Sequence, residues 1–341
     1  MRPTAPSRRT LLSALAAAVP LAAVSACSSG TAPDAAAASP EPSATGGAGS
    51  TGSWPRTVVH EGGETVLAAA PQRVVSASVT LTGALLAVGA PVVGTGTTAA
   101  SALTDEHGFF SQWAPVAVER GVQPLYALEP NLEVVAAAAP DLVVGSASGA
   151  DSVSDAYEQL SALAPTVLLR YDDVSWQEVT RQVARATGFE EEAERVVSEH
   201  ARLVEQARAA IVAPGGPVAA LVFNGTDDAR VWTAASAQGE LLTDLGFELV
   251  AVPEGSGQVV GGRSDVVQVS AENLPAVLAP AAAVVLFSAA QEQEAAFAAV
   301  PTLAQLPAVS AGRVVAAGAD SFRLDAYSAA NVVRRLQQRF A

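Results

Sequence analysis

Phe189 is followed by Glu190-Glu191-Glu192-Ala193-Glu194-Arg195-Val196-Val197-Ser198-Glu199-His200-Ala201-Arg202-Leu203-Val204-Glu205-Gln206-Ala207-Arg208, and this run decides the fold. Acids crowd its start and arginines recur toward its end, the order that suits a helix dipole. Val196, Val197, Leu203, Val204 and Ala207 recur at helical spacing. No proline occurs from Val174 to Ala213; Gly188 interrupts the stretch, and Pro214-Gly215-Gly216-Pro217 ends it. One long helix between two halves of alternating strands and helices predicts two Rossmann-like α/β lobes, stiffly joined. A helical insertion in one large domain would look similar locally, but it leaves the internal echoes described next unexplained.

Outward from that helix the two halves echo each other. Leu85-Leu86-Ala87-Val88-Gly89 before a strand returns as Leu241-Leu242-Thr243-Asp244-Leu245-Gly246 before Phe247-Glu248-Leu249-Val250. Glu133-Val134-Val135 with Ala139-Pro140 before Leu142-Val143-Val144 returns as Glu272-Asn273-Leu274 with Ala279-Pro280 before Val284-Val285-Leu286. Two echoes in the same order argue for similar lobes, each a parallel sheet with helices on its faces. Gly62-Gly63 between two β-branched runs adds a hairpin ahead of the first lobe. The expected divisions are residues 54–173 and 214–341 for the lobes and 174–213 for the linking helical segment.

The front of the chain reads as an address. Arg8-Arg9 precedes an apolar run, Leu11 to Val24, too short to span a bilayer but suited to export. Val24-Ser25-Ala26-Cys27 then resembles a bacterial lipobox, which makes residues 1–26 a signal peptide and Cys27 the lipidated first residue of the exported chain. Residues 27–53 are nearly all Ser, Gly, Ala, Pro and Thr, a tether whose reach is on the order of 30 Å. The expectation is a monomer outside the cytoplasmic membrane, held there by lipid alone.

Composition removes several kinds of chemistry. The 341 residues carry a net charge of −15, and all 19 basic residues are arginine. A broad nucleic-acid footprint and a lysine nucleophile are both excluded. The single cysteine excludes an internal disulfide and a cysteine-rich metal site. Gly94-Thr95-Gly96 is too short for a dinucleotide fingerprint, and Gly145-Ser146-Ala147-Ser148-Gly149 fails the nucleophile-elbow spacing because Ala147 holds the centre. His60, His107 and His200 share no spacing and are expected on the surface. An exported two-lobe chain without a catalytic set points to a binder with its site between the lobes, and no cofactor is expected. An exported enzyme on the same scaffold is the competing class.

Several phrases resemble the ferric-siderophore-binding proteins of bacterial ABC importers, and among them the enterobactin binders. They include Trp54-Pro55-Arg56, Pro71-Gln72-Arg73-Val74-Val75-Ser76, Val79 to Ala87, Gly108-Phe109 with Gln112-Trp113, Asp151-Ser152 with Tyr157 to Ser161, and Tyr171-Asp172-Asp173. Val231-Trp232-Thr233, Ser236 to Gly239, Leu306-Pro307-Ala308-Val309 and Phe322 to Ala329 carry the resemblance through the second half. It implies the helix-linked class III periplasmic binding fold, capture of a ferric catecholate siderophore, and delivery to a permease dimer with its ATPase. Haem or cobalamin is the alternative ligand within that fold, with Tyr126, Tyr157, Tyr171 and Tyr327 as the possible axial ligands for haem.

A ferric tris-catecholate is an aromatic trianion, so its receptor needs guanidinium groups and aromatic surface. Arg323 and Trp232 are the first expected ligand contacts, with Thr80 in the Val79 to Ala87 phrase. An ion pair of Arg323 with Asp325 or Asp320 is the competing structural role. For Arg230, Arg263 and Arg120, ligand-facing and structural readings stay open. The resemblance also implies an arginine where this chain has Ala100-Ser101-Ala102-Leu103, and one permease-docking glutamate per lobe, matched by Glu133 and Glu272.

Overall fold

The computed structural model describes residues 52–341 apart from 226–227 and 260–264. Cys27, the signal peptide, most of the tether and Arg263 lie outside the described residues. The described residues belong to one compact unit.

The chain enters through a hairpin, β1 (Arg56–His60) and β2 (Gly63–Leu67), paired antiparallel with Arg56 opposite Leu67. The first lobe follows as β3 (Val74–Ser76), α1 (Val79–Ala87), β4 (Val92–Thr97), α2 (Ala114–Glu119), β5 (Gln123–Ala127), α3 (Leu132–Ala137), β6 (Leu142–Ser146), α4 (Tyr157–Leu163) and β7 (Thr166–Leu169). Its five strands lie in the order β5-β4-β3-β6-β7, all parallel. Alternate strand residues feed opposite faces, as the two-residue period requires. Val74, Leu142, Val144 and Val167 join one core with Leu81, Leu85 and Trp113; Val75, Val143 and Leu168 join the other with Val135 and Leu160.

The stretch between the lobes is two helices, α5 (Trp176–Thr187) and α6 (Glu190–Ala210). Gly188, at φ +83°, ends α5 in the left-handed conformation that glycine adopts without strain. Val179, Val183, Ala184 and Ala186 of α5 sit in the first lobe's core, so α5 is part of that lobe. The connection is α6 alone. Ala193 enters the core of the first lobe while Val204 and Ala207 enter that of the second.

The second lobe runs β8 (Val218–Phe223), β9 (Asp228–Trp232), α7 (Ala237–Asp244), β10 (Gln258–Val259), β11 (Val266–Ser270), α8 (Leu274–Leu278), β12 (Ala283–Leu286), α9 (Glu292–Ala298), α10 (Pro307–Ser310), β13 (Val314–Ala316) and α11 (Ala326–Phe340). The order is β10-β11-β9-β8-β12-β13. Here the expectation of a parallel sheet is corrected. The β8–β12–β13 half is parallel, but β9 is antiparallel to both β8 and β11. The short connection from Phe223 to Asp228 permits only a hairpin, because a parallel return needs a crossover of a dozen residues or more. Phe247 to Val250 does not extend into a strand; it touches the sheet through a single bridge, Val218 to Leu249.

Two of the histidines also differ from expectation. His60 is half-buried, its Nδ1 accepting from the Gly62 and Leu168 amides. His200 is half-buried edge-on against Trp176, with ring centroids 4.9 Å apart. Burial lowers the pKa of both rings. Among the described residues no helix is long and apolar enough to cross a membrane.

Candidate ligand-binding cleft

In an α/β sheet the loops beyond the carboxyl ends of the strands form the natural binding edge. In the first lobe those loops follow β3, β6 and β7 and carry Ser78 and Thr80, Asp151, and Tyr171. In the second, the turn after β13 carries Phe322 and Arg323. The two sets meet. The Arg323 guanidinium carbon lies 4.6 Å from the centre of the Tyr171 ring and 5.6 Å from that of Phe322. A guanidinium over an aromatic face is held by the ring quadrupole.

Neither acid proposed as a structural partner takes Arg323. Asp320 is bound by Arg335 at 2.5 Å and by Asn331 at 2.9 Å. Asp325 caps α11, accepting from the Tyr327 and Ser328 amides at 2.9 and 2.8 Å, and Gln112 of the first lobe donates to it at 3.1 Å. Burial pushes the Asp325 carboxyl above its ordinary value. Arg323 is itself placed by this cap, since the Ser328 hydroxyl donates to its carbonyl at 2.9 Å.

Tyr171 is fixed from behind. Its hydroxyl donates to Asp151 Oδ1 at 2.6 Å, while Asp151 Oδ2 accepts from the Ser78 hydroxyl at 2.5 Å and the Thr80 amide at 3.0 Å. Burial, and then the Asp151 charge, push the phenol up, with Arg323 pulling the other way. Gly149, at φ +80°, leaves the space the phenol occupies: a Cβ there would collide with the Tyr171 hydroxyl. Thr80 lies beside this group, its amide donating to Asp151 at 3.0 Å.

Trp232 ends β9, half-buried against the core that holds Leu249 and Leu324, and its indole N–H is buried without a hydrogen-bond partner. A buried donor without a partner is costly and is the kind of group a ligand oxygen would satisfy. Arg230, two residues earlier, shares that face of β9 and is exposed, opposite Val222 and Gln268. Arg120 is elsewhere. Its guanidinium donates to the Leu86 carbonyl at 2.9 Å, near the opposite end of α1 from Thr80, roughly 9 Å along the axis at 1.5 Å per residue. It caps a helix end and does not stand in for the arginine absent from residues 100–103.

Glu133 and Glu272 are exposed. Glu133 is the second residue of α3, whose N-terminus is capped by Asn131; Glu272 precedes α8 by two residues. Both follow the carboxyl ends of strands, β5 and β11. Since β11 runs parallel to β8, each glutamate lies at the cleft-side end of its own sheet.

Sequence reasoning missed Asp151, Phe322 and the role of Tyr171. The clue lay in Gly145 to Gly149, where the second glycine clears space for a ring 22 residues downstream. A hollow of about 670 Å³ on the β1–β7 side of the first lobe includes Arg56, Arg170 and Arg185 in its wall. Those cations already pair with Glu190, with Asp172 and Asp173, and with Glu178.

Residues 73–321 match the family described as periplasmic binding protein, and the chain belongs to it. It is 43% identical over 291 residues, 84% of this chain and 91% of the relative, to the ferric enterobactin-binding periplasmic protein FepB of Escherichia coli O6:H1. It is similar to the crystal structure of holo-ViuP, with a TM-score of 0.75 and 33% identity over 85% of this chain and 96% of that one. It shares the fold of FhuD from Vibrio cholerae, solved with Fe3+-Desferal, at a TM-score of 0.61 and 20% identity, over 79% of this chain and 97% of that one. The helix-linked architecture expected from Glu190 to Arg208 is that of these proteins.

Proposed function

We propose that the protein is the extracytoplasmic binding component of an iron importer, which captures a ferric catecholate siderophore in the cleft and delivers it to an ABC permease. The 43% identity to FepB across 84% of the chain carries this reading. The cleft agrees chemically. Arg323, held over the Tyr171 ring, offers a cation to the chelate's anionic oxygens, and Phe322 and Trp232 offer aromatic surface to its catechol rings. Glu133 and Glu272 are the docking acids, one per lobe, for arginines on the two permease subunits, and Cys27 carries the lipid that keeps the protein at the membrane.

Titrating purified protein with ferric enterobactin, haemin and cyanocobalamin while following tryptophan fluorescence tests this. Saturable quenching by ferric enterobactin alone is expected. Saturation by haemin or cyanocobalamin, with no response to the catecholate, would overturn it.

A further inference from the structure

The cleft contains a feature that works against simple electrostatics. Asp151 is buried a few ångströms behind the surface assigned to an anion, where a carboxylate repels the ligand. Its hydrogen bonds say what it does instead. Asp151 Oδ2 binds the first turn of α1 through the Ser78 hydroxyl and the Thr80 amide, and Oδ1 takes the Tyr171 hydroxyl. The phenol is tied at its far end, and the free face of the ring carries the Arg323 guanidinium from the other lobe. Gly149 keeps the space that this placement of the ring requires.

We infer that Asp151 is a positioning residue that sets the anion-binding arginine across the cleft, acting through the Tyr171 ring. This rests on the reading of the cleft as an anion site, and it deepens that reading by separating the group that meets the ligand from the group that aims it. An untethered ring can turn about its side-chain torsions, and Arg323 then loses the face that fixes its guanidinium. Preorganisation of this kind lowers the ordering cost of binding. The carboxylate is therefore kept despite its charge.

The sign of one substitution decides between the two roles. Asp151→Asn removes a negative charge near the ligand and nearly preserves shape. If charge governs, ferric enterobactin binds as tightly or more tightly. If positioning governs, affinity falls by about five-fold or more, and the loss disappears in an Arg323→Ala background, because there is no longer an arginine to aim. Gly149→Ala is a second variant that alters no charged or hydrogen-bonding side chain but displaces the Tyr171 hydroxyl; it should behave like Asp151→Asn in both backgrounds.

A ligand-free measurement keeps this separate from the choice of siderophore. With the Arg323 guanidinium carbon 4.6 Å over the Tyr171 ring, the arginine's Nε–H NMR resonance should be displaced upfield in the wild type and return toward the ordinary arginine position in both variants. Unchanged resonances, or losses that add fully to that of Arg323→Ala, would overturn the inference. If the wild type ignores ferric enterobactin while the resonances shift as expected, the ligand reading fails and the positioning role stands.

Discussion

Arg323 lies over a fixed ring and neither neighbouring acid neutralises it, so its charge is available to a ligand. A charge-assisted hydrogen bond contributes roughly 1.5–3 kcal/mol, and about 1.4 kcal/mol is ten-fold in affinity. Arg323→Ala should therefore weaken ferric enterobactin binding by about ten-fold or more, measured by fluorescence titration with folding checked by circular dichroism. Trp232→Ala should weaken binding and remove most of the quenching signal. Wild-type affinity in both folded variants would place the site elsewhere. These residues stand out in the sequence because a trianion demands guanidinium and aromatic groups, and few of either occur near the second lobe's loops. The two readings of Arg120 stayed open because nearness along the chain to residues 100–103 says nothing of where a side chain ends up; its guanidinium donates to the Leu86 carbonyl at the end of α1. Asp151 stayed hidden because its meaning depends on Tyr171, Ser78 and Thr80, which only the folded sheet brings together.

Among the elements, α1 and α11 make the closest junction between the lobes. A Cβ on Gly83 would stand 2.5 Å from Asp325 Oδ2 and 2.8 Å from Trp113 Cδ1. Neither can withdraw, since Asp325 caps α11 and Trp113 is fully buried. Gly83→Ala should cost about 1–3 kcal/mol by overpacking, read as a lower urea midpoint. The linking helix gives a pH prediction. His200 of α6 and His60 of β1 both have pKa values depressed by burial below 6.5. The unfolded chain then binds the extra protons, so their contribution is complete above about pH 6.5 and is lost as pH falls below it. The melting temperature should drop between pH 7.5 and 5.5, and His200→Gln should shallow that drop; an unchanged slope would show that His200 binds its proton equally well in the folded and unfolded chain. The acids of Glu190 to Glu192 and the glycine at 188 made α6 readable. The antiparallel β9 was not, because strand direction depends on loop length, and the pattern of apolar residues is the same either way.

For the molecule as a whole, the two glutamates and the single cysteine give the remaining tests. Glu133→Arg with Glu272→Arg should leave siderophore affinity unchanged yet abolish uptake by cells, because arginines would then face arginines at the permease. If the two acids only favour helix starts, worth roughly 0.3–1 kcal/mol each, uptake persists at wild-type rates and thermal stability falls slightly. Cys27→Ala should release the protein to the medium or leave an unprocessed precursor; normal processing with full membrane retention would contradict lipidation.

Helix α11 comes last of the described elements, yet it completes both halves. Val332, Val333, Leu336 and Phe340 fill the second core, Tyr327 packs on the first, and the Phe340 carbonyl accepts from the Val212 amide just beyond α6. The fold is thus closed backwards, from its final helix onto segments synthesised long before. A ribosome stalled or a reading frame cut anywhere ahead of Ala326 would release a chain whose second lobe lacks Val332, Val333, Leu336 and Phe340 from its core and whose first lobe lacks the Tyr327 contact, so a truncated product would expose apolar surface to quality control.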